Sequence, residues 1–265
     1  YFGKNAFLAQ SPQLYKQMAV QSDMLKVFEI GPVFRAENSN THRHLCEFVG
    51  LDFEMPIMNH YHEVLSVLDG LFVHIFEGIN EKFGKELEVI REQYPFEPLQ
   101  YRPVGQNLII TYAEGMKLLR EAGEEIEDHA DISTPQEKLL GRIIKEKYNT
   151  DFYIMDKFPM AVRPFYTMPD PKNPDYSNSY DLFIRGEEIT SGAQRIHDGD
   201  FLMQKAEEKK VDLRPIMDYV KSFRYGGWPH GGAGIGLERV VMLFLGIPNV
   251  RRVTMFPRTP DRLTP

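Results

Sequence analysis

Apolar and polar positions divide the chain into a strand-like hairpin, a block of helices, a second strand-like block and a closing run of helices. VFEIGPVFRAE (27–37) and LCEFVGLDFEM (45–55) alternate with a partial period of two around the polar ENSNTHRH (37–44), which predicts a long-looped antiparallel hairpin. Ahead of it, residues 7–10 read as a short strand. SPQLYKQMAVQSDMLK (11–26) reads as a helix, with Ser11 as N-cap, Pro12 at the first helical position and Leu14, Met18 and Leu25 on one face. HYHEVLSVLDGLFVHIFEGINEKF (60–83) has a helical period, and Thr134, Pro135 and Glu137 make a capping box for a helix ending near Tyr148. DFYIMDKFP (151–159), RPFYTMP (163–169) and SYDLFIRGEEITSGAQRI (179–196) read as strands, the last two joined by the turn DPKNPDYSN. DGDFLMQKAEEKK (198–210) and PIMDYVKSF (215–223) are helical, and PHGGAGIGLERVVMLFLG (229–246) reads as a glycine-rich turn feeding an apolar helix. This order predicts an α+β fold, an antiparallel sheet flanked by helices, and not alternating βαβ units.

Composition narrows the class. A chain of 265 residues, 42% hydrophobic, buries a full core and is read as one domain, 1–265. No 18-residue apolar run spans a membrane. The opening YFGKNAFLAQ carries neither an initiator methionine nor a secretion signal, so a piece of a longer protein is expected. The single Cys46 forms no internal disulfide, which fits a reducing, cytoplasmic setting. A net charge of -7 excludes a protein coated in positive charge, but not a local basic patch. RRVTMFPR (251–258) and the loop of His42, Arg43 and His44 are the two candidates, each either a solvated surface or a contact for an anion.

The charged residues near strand ends suggest chemistry. GGAGIG places Gly232, Gly234 and Gly236 without the acid or lysine of a dinucleotide or phosphate loop, so glycine as a tight backbone passage is the simpler reading. Glu238 and Arg239 nevertheless fall in the next helix's first turn, where an arginine is poorly placed for the dipole and a nearby anion would account for it. Arg35 and Glu37 project from one strand face, either as an internal pair or with Arg35 forked onto a phosphate. Phe48 is a core residue or a platform for a base. Glu187, Ile189, Ser191, Ala193 and Arg195 share a face by parity, with Glu188 opposite, unless Gly192 introduces a bulge. Arg195 and Lys16, with Gln13, make two cations suited to one small anionic side chain.

FRAE with the following loop and HLCEF resembles the second signature motif of class II aminoacyl-tRNA synthetases, and GIGLER resembles the third. SPQLYKQ, GLDFEM and EITSGAQR are similar to the aspartyl-tRNA synthetase family in its archaeal and eukaryotic cytosolic form. The resemblance implies a catalytic domain without the N-terminal anticodon-binding barrel and without the first signature motif, from a protein that is a homodimer at full length. It implies that Arg35 holds the α-phosphate of ATP, Glu37 the adenine amino group, and that Phe48 stacks on the base. Arg43 and His44, with Leu45, would reach the outer phosphates. Gly236, Leu237, Glu238 and Arg239 would close over the nucleotide, with Arg35 and Arg239 as the catalytic pair. Glu188 and Ser191 would bind Mg2+, Glu188 also contacting ATP. Arg195 and Lys16 would clamp the aspartate side chain, with Gln13, Asp52 and Ser191 at its α-amino end. The implied reaction forms aspartyl-adenylate and transfers aspartate to the 3' end of tRNA(Asp).

Displacement at phosphorus needs positioning and charge neutralisation more than an acid–base pair, so arginines and a metal suffice. The pairs His42/His44 and His60/His62 lack the accompanying ligands of a zinc site. Asparagine would leave two cations without a counter-charge, and polar pairing rejects such an analogue by roughly 10⁴. The competing readings are an asparaginyl relative, including an asparagine synthetase without tRNA activity, and a non-catalytic scaffold. Lys16 with Arg195 argues against the first, and the full set of expected ATP contacts against the second.

Overall fold

The computed structural model describes residues 2–36 and 38–264. Helix α1 (Gln13–Gln21) has Pro12 and not Ser11 as its N-cap, with no side-chain cap although the Ser11 hydroxyl accepts from the Gln13 N–H at 3.1 Å, and it stops well short of residue 26. Its buried residues are Lys16, Gln17 and Val20; Leu25 is exposed, so the covered face is more polar than the apolar spacing indicates. Strands β1 (Val27–Phe34) and β2 (Glu47–Pro56) form the expected antiparallel hairpin. Residues 7–10 are not a strand: Ala9 O accepts one bond from Phe34 N, and Phe7 and Leu8 are exposed.

Helix α2 (His62–Lys82) follows as expected, and then α3 (Gly84–Gln93), β3 (Leu108–Thr111) and α4 (Tyr112–Glu121), three elements that the sequence reading did not name. Helix α5 (Thr134–Tyr148) is capped by a Ser133–Gln136 box, one residue before the Thr134–Glu137 pair read from the sequence. The shift frees Glu137 from capping and turns it inward, 8% exposed.

Strands β4 (Phe152–Asp156), β5 (Ser179–Ile184) and β6 (Glu187–Arg195) come next, then α6 (Gly199–Glu208), α7 (Met217–Ser222), β7 (His230–Gly236) and α8 (Leu237–Phe244). One seven-stranded sheet results, in the order β1-β2-β7-β6-β5-β4-β3, antiparallel except for the edge pair β3 and β4. Three sequence readings change here. Residues 179–196 are a hairpin, because Arg185 and Gly186 both take positive φ (52° and 74°) and close a two-residue turn. RPFYTMP is no strand; it touches the sheet through an isolated bridge from Thr167 to Arg195, while Pro169 bridges Ser177 outside the strands. HGGAGIG is the interior strand β7, not a turn, with Ala233 and Ile235 in the core and Gly232 and Gly234 facing Glu54 and Asp52.

The main core packs α2 and α8 on the sheet through Phe72, Phe76, Phe152, Leu182, Ile235 and Phe244, each contributing about 1.5–3 kcal/mol by burial. A second cluster seats α4 and α5 on β3 and β4, and a third joins Ile196 to α6 and α7. By strand parity the first cluster, with Phe53, Met55, Phe152 and Ile154, lies on the face opposite Asp52 and Glu54, while Tyr153, Met155 and Phe183 of the second lie on the other face.

Candidate active site

Strand parity places Asp52 and Glu54 of β2 side by side, opposite the glycines of β7. A Cβ at Gly234 would lie 3.0 Å from Asp52 Oδ1, and one at Gly232 would collide with Phe53 O and Glu54 Oε2. Glycine at these positions is what admits two carboxylates between the strands. Lys16 reaches down from α1: its Nζ lies 2.9 Å from Asp52 Oδ1, 3.4 Å from Glu54 Oε2 and 3.0 Å from Ala233 O. Arg195 at the end of β6 donates from Nε to Glu54 Oε1 at 3.0 Å, and from Nη2 to Gly232 O and Gln13 Oε1. Burial works to raise the Glu54 carboxyl, but Arg195, Lys16 and His230 together hold it below the ordinary range. Glu54 also raises Arg195 against its own desolvation.

Above this network lies a cavity of about 380 Å³, within the range of small-molecule sites. Gln13, Arg35, Arg43, His44, Leu45, Phe48, Asp52, Glu188, Ser191, Arg195, Gly236, Glu238 and Arg239 all line it. Lys16 and Leu237 do not: Lys16 is enclosed by its acids, and Leu237 packs on the main core. Asparagine would therefore not leave two bare cations, since Glu54 already stands between Lys16 and Arg195. Glu37 lies outside the described residues.

Arg35 lies over the Phe48 ring, 5.2 Å from its centroid, and pairs with no carboxylate among the described residues. Arg239 is buried, which pulls its pKa downward, and its guanidinium donates to Glu188 O at 2.9 Å and Arg43 O at 3.3 Å. Two backbone carbonyls thus offset its poor place in the helix dipole. Glu238 accepts from Val49 N at 2.9 and 3.0 Å, continuing the ladder where β7 gives way to α8. Glu188 faces the cavity because the register shifts between Leu182 and Phe183, leaving Ile189 as the extra residue; the bulge is there, not at Gly192. A side chain at Gly192 would instead strike the Tyr180 ring.

Several wall residues escape the sequence reading. Arg163 donates to Ser191 Oγ at 3.0 Å, pairs with Asp181 at 2.9 Å and lies over Phe158. Tyr166 lies near the Arg195 guanidinium, 5.6 Å from ring to Cζ, and Pro164 and Thr167 complete that side. All four come from RPFYTMP, whose apolar pattern mimics a strand. Glu54 had a usable signal, its period-two spacing from Asp52. Asp181 is pushed up to about 6 by burial, against Arg163, and its Oδ1 is buried without a hydrogen-bond partner.

The two basic candidates also resolve. Arg251 bonds Asn40 and Thr41 O, and Arg258 pairs with Glu47 at 2.7 Å, so the 251–258 cluster braces the loop between β1 and β2. His42 pairs with Glu187 at 2.8 Å and His62 with Asp156 at 2.7 Å.

The family model "tRNA synthetases class II (D, K and N)" matches residues 1–260. The chain is 60% identical over 265 residues to the cytoplasmic aspartate–tRNA ligase of Rattus norvegicus, covering 100% of this chain and 52% of that one. It superposes on an aspartyl-tRNA synthetase structure from Entamoeba histolytica with a TM-score of 0.95 and 63% identity, over 98% of this chain and 53% of the other. An asparaginyl-tRNA synthetase of that organism, in complex with asparaginyl-adenylate, gives a TM-score of 0.88 at 32% identity, over 100% and 59% of the two chains. The chain thus spans about half the length of the relatives it matches.

Proposed function

Because the chain belongs to the class II tRNA synthetases of the D, K and N group, we propose that the protein is an aspartate–tRNA ligase with 1–265 as its catalytic domain. An oxygen of the aspartate α-carboxylate attacks the α-phosphorus of ATP, the bond to the β-phosphate oxygen breaks, and pyrophosphate leaves. The terminal adenosine hydroxyl of tRNA(Asp) then attacks the activated carbonyl, and AMP leaves. The observation that supports this reading is one cavity holding an aromatic-backed arginine (Arg35 over Phe48), a carbonyl-fixed arginine (Arg239) and a buried arginine (Arg195) bonded to Glu54.

Arg35 and Arg239 would stabilise charge developing at the α-phosphate, Phe48 and Gly236 would bound the base, and Arg43 with His44 and Leu45 would meet the outer phosphates. Arg195 would take the aspartate side chain; Gln13, Asp52 and Ser191 would orient its amino end. Lys16 acts from behind, through Asp52 and Glu54. Glu238 serves as the tie to Val49, and Leu237 as core beneath the nucleotide.

The residues fit a divalent cation. Ser191 faces Asp181 across the β5–β6 pair, Glu188 lines the same cavity, and the Asp181 Oδ1 lacks a partner. Mg2+ is an ion typically held by one or two carboxylates and completed by substrate phosphates, and Glu188 and Asp181 would supply such carboxylates here. Such an ion would neutralise the polyphosphate. The homodimer reading is supported by edge strand β1, where Phe28 is 76% and Ile30 57% exposed. The cytoplasmic assignment follows the name of the rat relative.

Pyrophosphate–ATP exchange by the full-length protein tests the function. Exchange should depend on aspartate and exceed that with asparagine. Equal exchange with asparagine would favour the asparaginyl reading, and none with either a non-catalytic scaffold.

A further inference from the structure

We propose that Glu137, on the first turn of α5, is a positioning residue for the outer phosphates of ATP, which it serves by holding Arg43 in the cavity wall. The proposal rests on the ATP-dependent function above. Glu137 Oε2 accepts from Arg43 Nη1 at 2.6 Å, with only 10% and 16% of the two side chains exposed. At its other end, the Arg43 carbonyl accepts from Arg239 Nη2. Arg43 is therefore gripped at both side chain and backbone, although it lies in the long loop between β1 and β2. Its Nε and Nη2 bond no described residue, so one edge of the guanidinium fork is left for an oxyanion while the other stays on Glu137. Burial pushes the Glu137 carboxyl up and Arg43 opposes this, as expected of a carboxylate that depends on its cation.

The support behind Glu137 is stiff. Helix α5 meets the β5–β6 turn glycine to glycine: a Cβ on Gly186 would lie 2.8 Å from Glu137 O, and one on Gly141 would run into Gly186. The neighbouring Lys138 lies 3.1 Å from Glu187 Oε1, whose other oxygen takes His42 at 2.8 Å. One helical turn thus pins two adjacent loop residues, His42 and Arg43. A loop arginine already ordered before ATP arrives loses less rotamer freedom on binding it.

The test is pyrophosphate exchange by the full-length protein, with ATP and aspartate varied separately. Glu137→Ala is expected to raise the KM for ATP about tenfold while the KM for aspartate and kcat stay within about twofold. Glu137→Gln, which keeps an oxygen toward Arg43, should fall between. Arg43→Ala should raise the ATP KM at least as much, and Arg43→Ala/Glu137→Ala no further, since Glu137 acts through Arg43. Equal rises in both KM values, additive penalties in the double variant, or an unchanged or lower ATP KM would each overturn the inference. Thermal melting checks folding, and if Glu137→Ala does not fold, Glu137→Gln carries the same comparison. Failure of the unmodified protein to exchange with either amino acid sinks function and inference together; an active protein with indifferent variants sinks the inference alone.

Discussion

His230, at 0% exposure on β7, shows how a single residue sets a pH limit. Its Nδ1 lies 2.7 Å from Trp228 O and its Nε2 3.3 Å from Gln17 Oε1, and Glu54, Arg195 and His197 face it from the neighbouring elements. Burial pushes it down to about 4 from 6.5, with Glu54 opposing. The folded protein keeps the ring neutral where the unfolded chain already binds a proton. Stability should therefore fall as pH drops from 6.5 toward 4, by up to about 3 kcal/mol, and level off below. Denaturant unfolding at several pH values checks this: His230→Gln should lose that part of the slope, and an unchanged slope would refute it. At this scale Arg35 and Arg195 were legible from charge along the strands, and Asp52 from the family resemblance. Arg163 and Tyr166 were not, because their loop is aimed by distant contacts that leave no local pattern.

Among the elements, β7 departs furthest from its sequence signal. Glycine disfavours strands locally, yet Gly232 and Gly234 are required by the carboxylates of β2. Gly232→Ala should destabilise the protein by about 3 kcal/mol, since the new methyl meets backbone on an interior strand. Gly236→Ala, whose nearest obstacle is Phe48 Cδ2 at 4.0 Å, should change unfolding by less than about 0.5 kcal/mol. Urea midpoints of the two variants decide it; equal midpoints would mean that the strand spreads to absorb the methyl. Long periodic elements such as α2 were legible. The cap of α5 was not, because S-T-P-Q-E offers two boxes one residue apart and only docking on Gly186 selects between them.

For the whole molecule, charge and connectivity act together. The chain carries -7, yet among the described residues five arginines (Arg35, Arg43, Arg163, Arg195, Arg239) and three acids (Asp52, Glu188, Glu238) line the cavity, a setting that concentrates an anionic nucleotide. Arg163 and Tyr166 reach it on the excursion between β4 and β5, whose base is fixed by Asp156. That buried carboxylate accepts from Tyr61 OH, His62 and Lys157 N, while Lys157, at φ 62°, reaches Asp170 and Asn178. Asp156→Ala should cost about 2 kcal/mol and open residues 157–178 to limited proteolysis; an unnicked segment would show that other contacts hold it. The sequence by itself determined the α+β class, the hairpin, the family resemblance and most of the charged residues that meet at the site, since periodicity and motif are local properties of the chain. Only the tertiary structure decided that Lys16 is enclosed by Asp52 and Glu54, that a bulge at Ile189 turns Glu188 into the cavity, and that Glu137 holds Arg43. Each of these depends on register and close approach between segments far apart in the chain, and such distances are fixed by packing rather than by any local pattern.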